Sequence, residues 1–234
     1  FNPSSGACRR CARIVRSIGL ERLRPIAPPP QEALPRWRRM TDGLRHSKSR
    51  DAEAIHHHYD VSNSFYEWVL GPSMTYTCAC YPTAEASLEE AQDNKYRLVF
   101  EKLRLEAGAR LLDVGCGWGG MVRYAARRGV KTIGVTLSAE QAAWAQQAIA
   151  DEGLSEFAEV RHSDYRDVRE SAFDAVSSIG LTEHIGVANY PAYFGFLQSK
   201  MRTGALLLNH CITRADNRTG PAAGGFIDRY VFPD

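Results

Sequence analysis

The chain has 234 residues, 44% hydrophobic and 24% charged, which is enough apolar content for a full globular core and excludes a disordered or collagen-like chain. Its net charge of +2 hides an asymmetry, because residues 1–50 carry a balance of +9 and residues 51–234 a balance of −7. No apolar run approaches the roughly 18 residues of a membrane span, and no signal-peptide pattern opens the chain, so a cytoplasmic protein is expected.

The basic arm calls for an anionic partner, a membrane surface or a nucleic acid. No nucleic-acid recognition motif accompanies it, and no nucleic-acid partner is expected. Residues 7–20 fit a short basic amphipathic helix of the kind that lies on anionic bilayers, and equally a solvated arm. Five prolines from Pro25 to Pro35 predict a linker. Residues 1–54 are therefore read as arm and linker, and 55–234 as the folded domain. Cys8-x-x-Cys11 lacks the second ligand pair of a zinc site, so no metal is expected.

Tyr59 to Leu70 is apolar and aromatic at helical spacing, closed by Gly71-Pro72. An extended loop follows over 73–80. Ser87 is an N-cap with Glu90 three residues on, a capping box that opens a helix to about Leu103. From Arg110 the pattern alternates, with strands at 110–115, 131–136, 158–163, 174–180 and 205–212. The helices between them read at 119–128, 138–151 and 189–202. Short apolar strands separated by helices predict an α/β fold, a mainly parallel sheet covered on both faces.

The stretch Leu112-Asp-Val-Gly-Cys-Gly-Trp-Gly-Gly120 is a strand running into a glycine turn, a place where backbone approaches a nucleoside-like cofactor. Two cofactors compete for it. Gly115, Gly117 and Gly120 satisfy the dinucleotide fingerprint G-x-G-x-x-G. Asp113 with Gly115, Gly117 and Gly119 instead satisfies D-x-G-x-G-x-G, which resembles the first motif of S-adenosylmethionine (SAM) methyltransferases. A dinucleotide site wants an acid at the tip of the second strand. That tip reads Gly134-Val-Thr-Leu-Ser138, which weighs against NAD.

In parallel sheets ligands lie beyond the carboxyl ends of strands, and here those ends are rich in reactive groups. Glu183 and His184 follow the fourth strand, and Asn209-His210-Cys211-Ile212 closes the fifth. Upstream lie His58-Tyr59-Asp60 and Thr75-Tyr76-Thr77-Cys78.

Together these segments resemble the cyclopropane-fatty-acid synthase family, which includes the mycolic acid cyclopropane synthases. The matching pieces are H-Y-D-V-S-N-x-F-Y at 58–66, M-T-Y-T-C at 74–78 and L-D-V-G-C-G-W-G-G at 112–120. They continue with G-V-T-L-S-x-x-Q at 134–141, S-I-G-x-x-E-H-I-G at 178–186, N-H-x-I at 209–212 and G-F-I-D-R-Y-V-F-P-D at 225–234. The resemblance implies a Rossmann-like class I SAM methyltransferase whose final strands lie beyond this chain. It implies transfer of a methyl carbon to the cis double bond of a phospholipid acyl chain at the membrane surface. The resulting carbocation is deprotonated to a cyclopropane or a methylene or methyl branch. The base in this family is a bound bicarbonate, and its cage here would be the Cys78 backbone, Glu183, His210 and the Ile212 backbone. For SAM, the resemblance carries over Tyr76 and Thr77 at the methionine end, Asp113, Gly115 and Gly117 at the turn, and Asp164 and Tyr165 at the adenine. Thr136 and Gln141 stand in for the missing acid at the ribose. Peripheral membrane association is expected, and a homodimer is left open.

Two other readings differ in class. A SAM methyltransferase for a small soluble acceptor needs no bilayer, and a non-catalytic SAM- or lipid-binding fragment binds without turnover. With residues 205–212 as an uncovered sheet edge, the chain alone is expected to be weakly stable and poorly active.

Overall fold

A computed structural model of the chain describes residues 63–213. The amphipathic arm at 7–20, the proline linker, Cys8-x-x-Cys11, the His58-Tyr59-Asp60 segment and the 225–234 motif lie outside the described residues.

The chain order is α1 (Asn63–Leu70), α2 (Leu88–Lys102), β1 (Arg110–Val114), α3 (Gly120–Ala126), β2 (Lys131–Thr136) and α4 (Ala139–Asp151). It continues with β3 (Ala158–His162), β4 (Phe173–Ile179), α5 (Tyr190–Lys200) and β5 (Met201–His210), with short 3-10 turns at Tyr165–Asp167, Thr182–His184 and Val187–Asn189. The five strands form one parallel sheet in the order β3-β2-β1-β4-β5. The order reverses direction between β1 and β4, which makes the carboxyl end of β1 the switch point where ligands of such sheets bind.

Local signals set the helix starts. Ser87 and Glu90 form a reciprocal capping box at α2, with both Ser87 N and Ser87 Oγ 2.8 Å from Glu90 Oε2. Ser138 caps α4 by accepting from Gln141 N.

Strand residues alternate between two apolar layers. Leu111 packs with Val99, Leu103, Met121 and Tyr124 on the α2–α3 face. Leu112 and Val114 pack with Val176, Tyr193 and Leu197 on the α5 face. A third cluster joins α3 and α4 to β3 through Val122, Ala145, Ile149 and Val160. Leu111, Leu112 and Val114 are fully buried, as residues of a central strand covered on both faces must be.

The helix expected at 189–202 and the strand expected at 205–212 meet differently. α5 ends at Lys200 and β5 begins at once at Met201. The pairing jumps from Phe173↔Met201 to Ala175↔Leu206, so the extra residues bulge out. Gly204, at φ +81°, lies within that bulge and allows its turn. The end of the strand is aligned by Ile179↔His210 pairing, which brings His210 level with the tip of β4. Among the described residues β5 is an edge strand.

Candidate functional site

The carboxyl ends of the strands open into a cavity of about 570 Å³ with mostly apolar walls. Every residue singled out in the sequence for catalysis or cofactor binding lines it: Tyr76, Thr77, Cys78, Asp113, Gly115, Gly117, Thr136, Gln141, Asp164, Tyr165, Glu183, His210 and Ile212.

At the switch point the glycine turn is tied to the next strand by Gly115 N and Cys116 N, both donating to Val135 O at 2.9 and 3.1 Å. Gly117 has φ +54°, and a Cβ there would meet no atom within 4 Å. The turn is therefore bare towards the cavity, the shape needed for close approach of a cofactor. Thr136 Oγ1 donates to Gln141 Oε1 at 2.7 Å, with both residues buried. Gln141 thus turns its amide N–H2 into a donor for a ligand hydroxyl. The carboxylate of Asp164 accepts from Arg166 N at 2.8 Å and from its guanidinium at 2.7 and 2.5 Å. That local lock fixes the turn carrying Tyr165, whose ring meets Tyr193 and Phe196 edge-on.

A second cluster lines the same cavity. Glu183, in the turn after β4, accepts from Ile212 N through Oε1 at 2.7 Å. Its Oε2 is buried without a partner among the described residues, and so is Nδ1 of His210. Nε2 of His210 lies 3.6 Å from Cys78 Sγ. Buried orphan polar atoms cost about 1–3 kcal/mol each, so two of them on residues lining one cavity point to a polar ligand between them. Burial, with help from Lys95, lowers the His210 pKa below its ordinary value against the opposing pull of Glu183. The imidazole is therefore neutral near pH 7 and able to accept a proton.

Residues 46–234 match the mycolic acid cyclopropane synthetase family. The chain belongs to this family. It is 78% identical over 228 residues to a probable fatty acid methyltransferase of Mycobacterium tuberculosis, covering 97% of this chain and 53% of that protein. Its fold is similar to a cyclopropane synthase from Mycobacterium tuberculosis, with a TM-score of 0.72 and 32% identity over 78% of this chain and 68% of that one. It is also similar to a mycolic acid cyclopropane synthase complexed with SAH and CTAB, with a TM-score of 0.62 and 35% identity over 68% of this chain and 55% of that one. The chain spans about half the length of the curated relatives it matches. The fold is that of the class I SAM methyltransferases.

In this family member the residues at the turn fit SAM on their own geometry. The bare Gly117 cradle, the Thr136–Gln141 pair and the mostly apolar cavity suit a nucleoside carrying a sulfonium. Asp113 sits under the turn, buried, and accepts from Ser177 Oγ at 2.5 Å. Burial pushes its pKa up to about 6, with the Ser177 bond pulling the other way. Because the folded value lies above the unfolded one, this group weakens the fold as pH rises from about 4 to about 6. The loss reaches about 3 kcal/mol by pH 7, at roughly 1.4 kcal/mol per unit. Asp113→Asn keeps the acceptor for Ser177 and removes the charge. Its urea unfolding free energy should match the unaltered chain near pH 4 and exceed it by a few kcal/mol at pH 7. Equal stability of the two at pH 7 would count against this.

Two site residues escaped the sequence reading. Gln92 and Lys95 of α2 are buried behind the loop over 75–80 and hold it by hydrogen bonds. Their signal is present in the sequence: Ala91, Lys95 and Val99 share one helix face at i, i+4 spacing. A lysine on a face that buries alanine and valine is there to bond something. Trp118 is buried and donates to Asn63 Oδ1 at 2.9 Å, and Tyr193 OH lies 2.6 Å from Ser178 Oγ. Both are packed into the core, and Trp118 also lines the cavity.

Proposed function

We propose that the chain carries the SAM-binding and proton-accepting parts of an enzyme that adds a methyl carbon across the cis double bond of a phospholipid acyl chain. The observation that supports this best is the meeting of the glycine cradle with Cys78, Glu183, His210 and Ile212 in a single apolar cavity. A hydroxyl or a protonated amine acceptor must give up a proton to attack the methyl group. An alkene needs no base for attack, and needs one only for the cation, in a site that excludes water.

When bound, SAM supplies an electrophilic methyl carbon, and a bicarbonate ion in the second cluster supplies a proton acceptor. The chain's residues do the rest. Leu70, Met74, Ile179 and Leu181 line the walls and keep water from a cation on the acyl chain. Gly115 and Gly117 admit the cofactor, with Tyr76 and Thr77 at its methionine end, Thr136 and Gln141 at its ribose, and Asp164 and Tyr165 at its adenine. Glu183 Oε2 accepts from the anion and sets its orientation. In the tautomer whose Nε2–H donates to Cys78 Sγ, 3.6 Å away, Nδ1 of His210 carries the lone pair that takes the proton on from the anion.

In this reading residues 55–234 belong to the methyltransferase domain, and the basic residues 1–54 face anionic headgroups at a membrane surface. The contact proposed is peripheral; among the described residues no helix is long and apolar enough to cross a membrane. Incubation with methyl-labelled SAM and oleoyl-phospholipid vesicles tests the proposal. Label in the acyl chains, dependent on bicarbonate, is expected. Label confined to soluble acceptors or to protein would overturn it. Acid methanolysis before mass spectrometry, which opens cyclopropanes, separates ring from branched products.

A further inference from the structure

Gln92 and Lys95, one turn apart on α2, are 3% and 2% exposed. A buried ammonium is costly unless it is fully bonded, and this one is. Lys95 Nζ donates to Thr77 Oγ1 at 2.5 Å and to Cys78 O at 2.9 Å, and lies 3.6 Å from Cys78 Sγ. These contacts engage all three of its protons. Lys95 does not line the cavity, so it acts through the loop and not by touching a ligand.

The geometry of the loop follows from these bonds. Gln92 Nε2 donates to Thr77 O at 2.8 Å, which fixes the peptide plane between Thr77 and Cys78. Among the described residues there are no cis peptide bonds, and in a trans peptide the N–H points opposite to the C=O. The Cys78 N–H is therefore turned away from α2. Lys95, bound to Cys78 O, fixes the next plane. Tyr96 adds a third anchor through Thr75 Oγ1 at 2.9 Å, and Asn94 a fourth through Cys80 O at 2.7 Å.

We propose that Gln92 and Lys95 are positioning residues, clamping both peptide planes of Cys78 so that its N–H faces an anion held with Glu183 and His210. This rests on the anion-assisted reading given above. The arrangement also resolves a chemical conflict. A lysine facing the cavity would attract the anion but would offer an amine to the methyl donor. An ammonium bonded behind the wall gives positive potential without a competing nucleophile. The groups acting on His210 are Lys95 and Lys102 of α2, which disfavour its charged form, Glu183 of the turn after β4, which favours it, and Cys78 at 3.6 Å.

The test follows bicarbonate binding by the His210 ring resonances in NMR, using the full chain loaded with SAH. The unaltered chain, Gln92→Leu and Lys95→Met are compared. Both substitutions should weaken bicarbonate binding by about tenfold, the worth of one charge-assisted hydrogen bond. SAH affinity is measured in parallel and should fall less than bicarbonate affinity, since Gly115, Gly117 and Gln141 are untouched and only Thr77 at the methionine end shifts with the loop. Only Lys95→Met should raise the titration midpoint of His210, which simple loosening of the loop would not do. Unchanged bicarbonate affinity in folded Gln92→Leu overturns the clamp, whether or not Lys95→Met folds. So does a lack of bicarbonate binding by the unaltered chain. Lipid methylation is scored separately: its absence alongside the expected bicarbonate effects counts against the acceptor and supports the clamp.

Discussion

Glu183→Gln should lower methyl transfer to vesicle lipids by about 10²–10⁴-fold, the usual contribution of a positioned acid–base group, while SAH binding is kept. The substitution is nearly isosteric. Ile212 N now donates to Glu183 Oε1 at 2.7 Å, and an amide oxygen accepts that bond equally well. What changes is the other atom. Glu183 Oε2, buried and without a partner among the described residues, is an acceptor that a bicarbonate hydroxyl can meet. An amide N–H2 in its place is a donor, so the anion would be held the wrong way round and its proton-accepting oxygen turned from the acyl chain. The substitution leaves Gly115, Gly117 and Gln141 unaltered, so calorimetric SAH titration should change little. Labelled-methyl transfer within a few-fold of the unaltered chain would remove Glu183 from the site's chemistry.

The second large effect separates two glycines only three residues apart. Gly117→Ala places a Cβ where the structure has no atom within 4 Å. The left-handed backbone at φ +54° costs about 1–2 kcal/mol with a side chain, and the fold survives. The new methyl projects beside the cavity that Gly117 lines, so SAH affinity should fall by about 10–100-fold, as close approach of a cofactor to backbone is lost. Gly120→Ala behaves in the opposite way. Its Cβ would lie 1.9 Å from Tyr96 OH and 2.6 Å from the ring carbon bearing it. Tyr96 must move, which breaks its 2.9 Å contact with Thr75. Overpacking of this kind costs about 1–3 kcal/mol, so urea unfolding should shift to lower denaturant. Calorimetry and unfolding measured on both variants check the pair. A Gly117→Ala chain that binds SAH normally would mean that the turn does not carry the cofactor.

Local signals made most of the fold legible. The capping box at Ser87, the Ser138 cap, the glycine turn and the apolar strands have short-range causes, so the helix starts at Leu88 and Ala139 and strands β1 to β4 stand within a residue or so of where the sequence put them. The junction of α5 and β5 was not legible in the same way. Met201 and Arg202 continue an apolar-polar helical pattern, and only pairing of Met201 with Phe173 and the bulge at Gly204 pull them into the sheet. Tertiary pairing overrides propensity there.

The sequence by itself determined the sheet, the glycine turn, the missing acid after β2 and the family motifs at each strand tip. These depend on residue type and on separations along the chain. Only the tertiary structure decided how the site is held. Lys95 and Cys78 are 17 positions apart, and Cys78 and His210 are 132 apart. Whether a polar residue on α2 is solvated or buried against the Cys78 loop depends on what packs over it, and no local pattern records that. The same packing left Glu183 Oε2 and His210 Nδ1 buried without partners among the described residues, on two side chains that line one cavity.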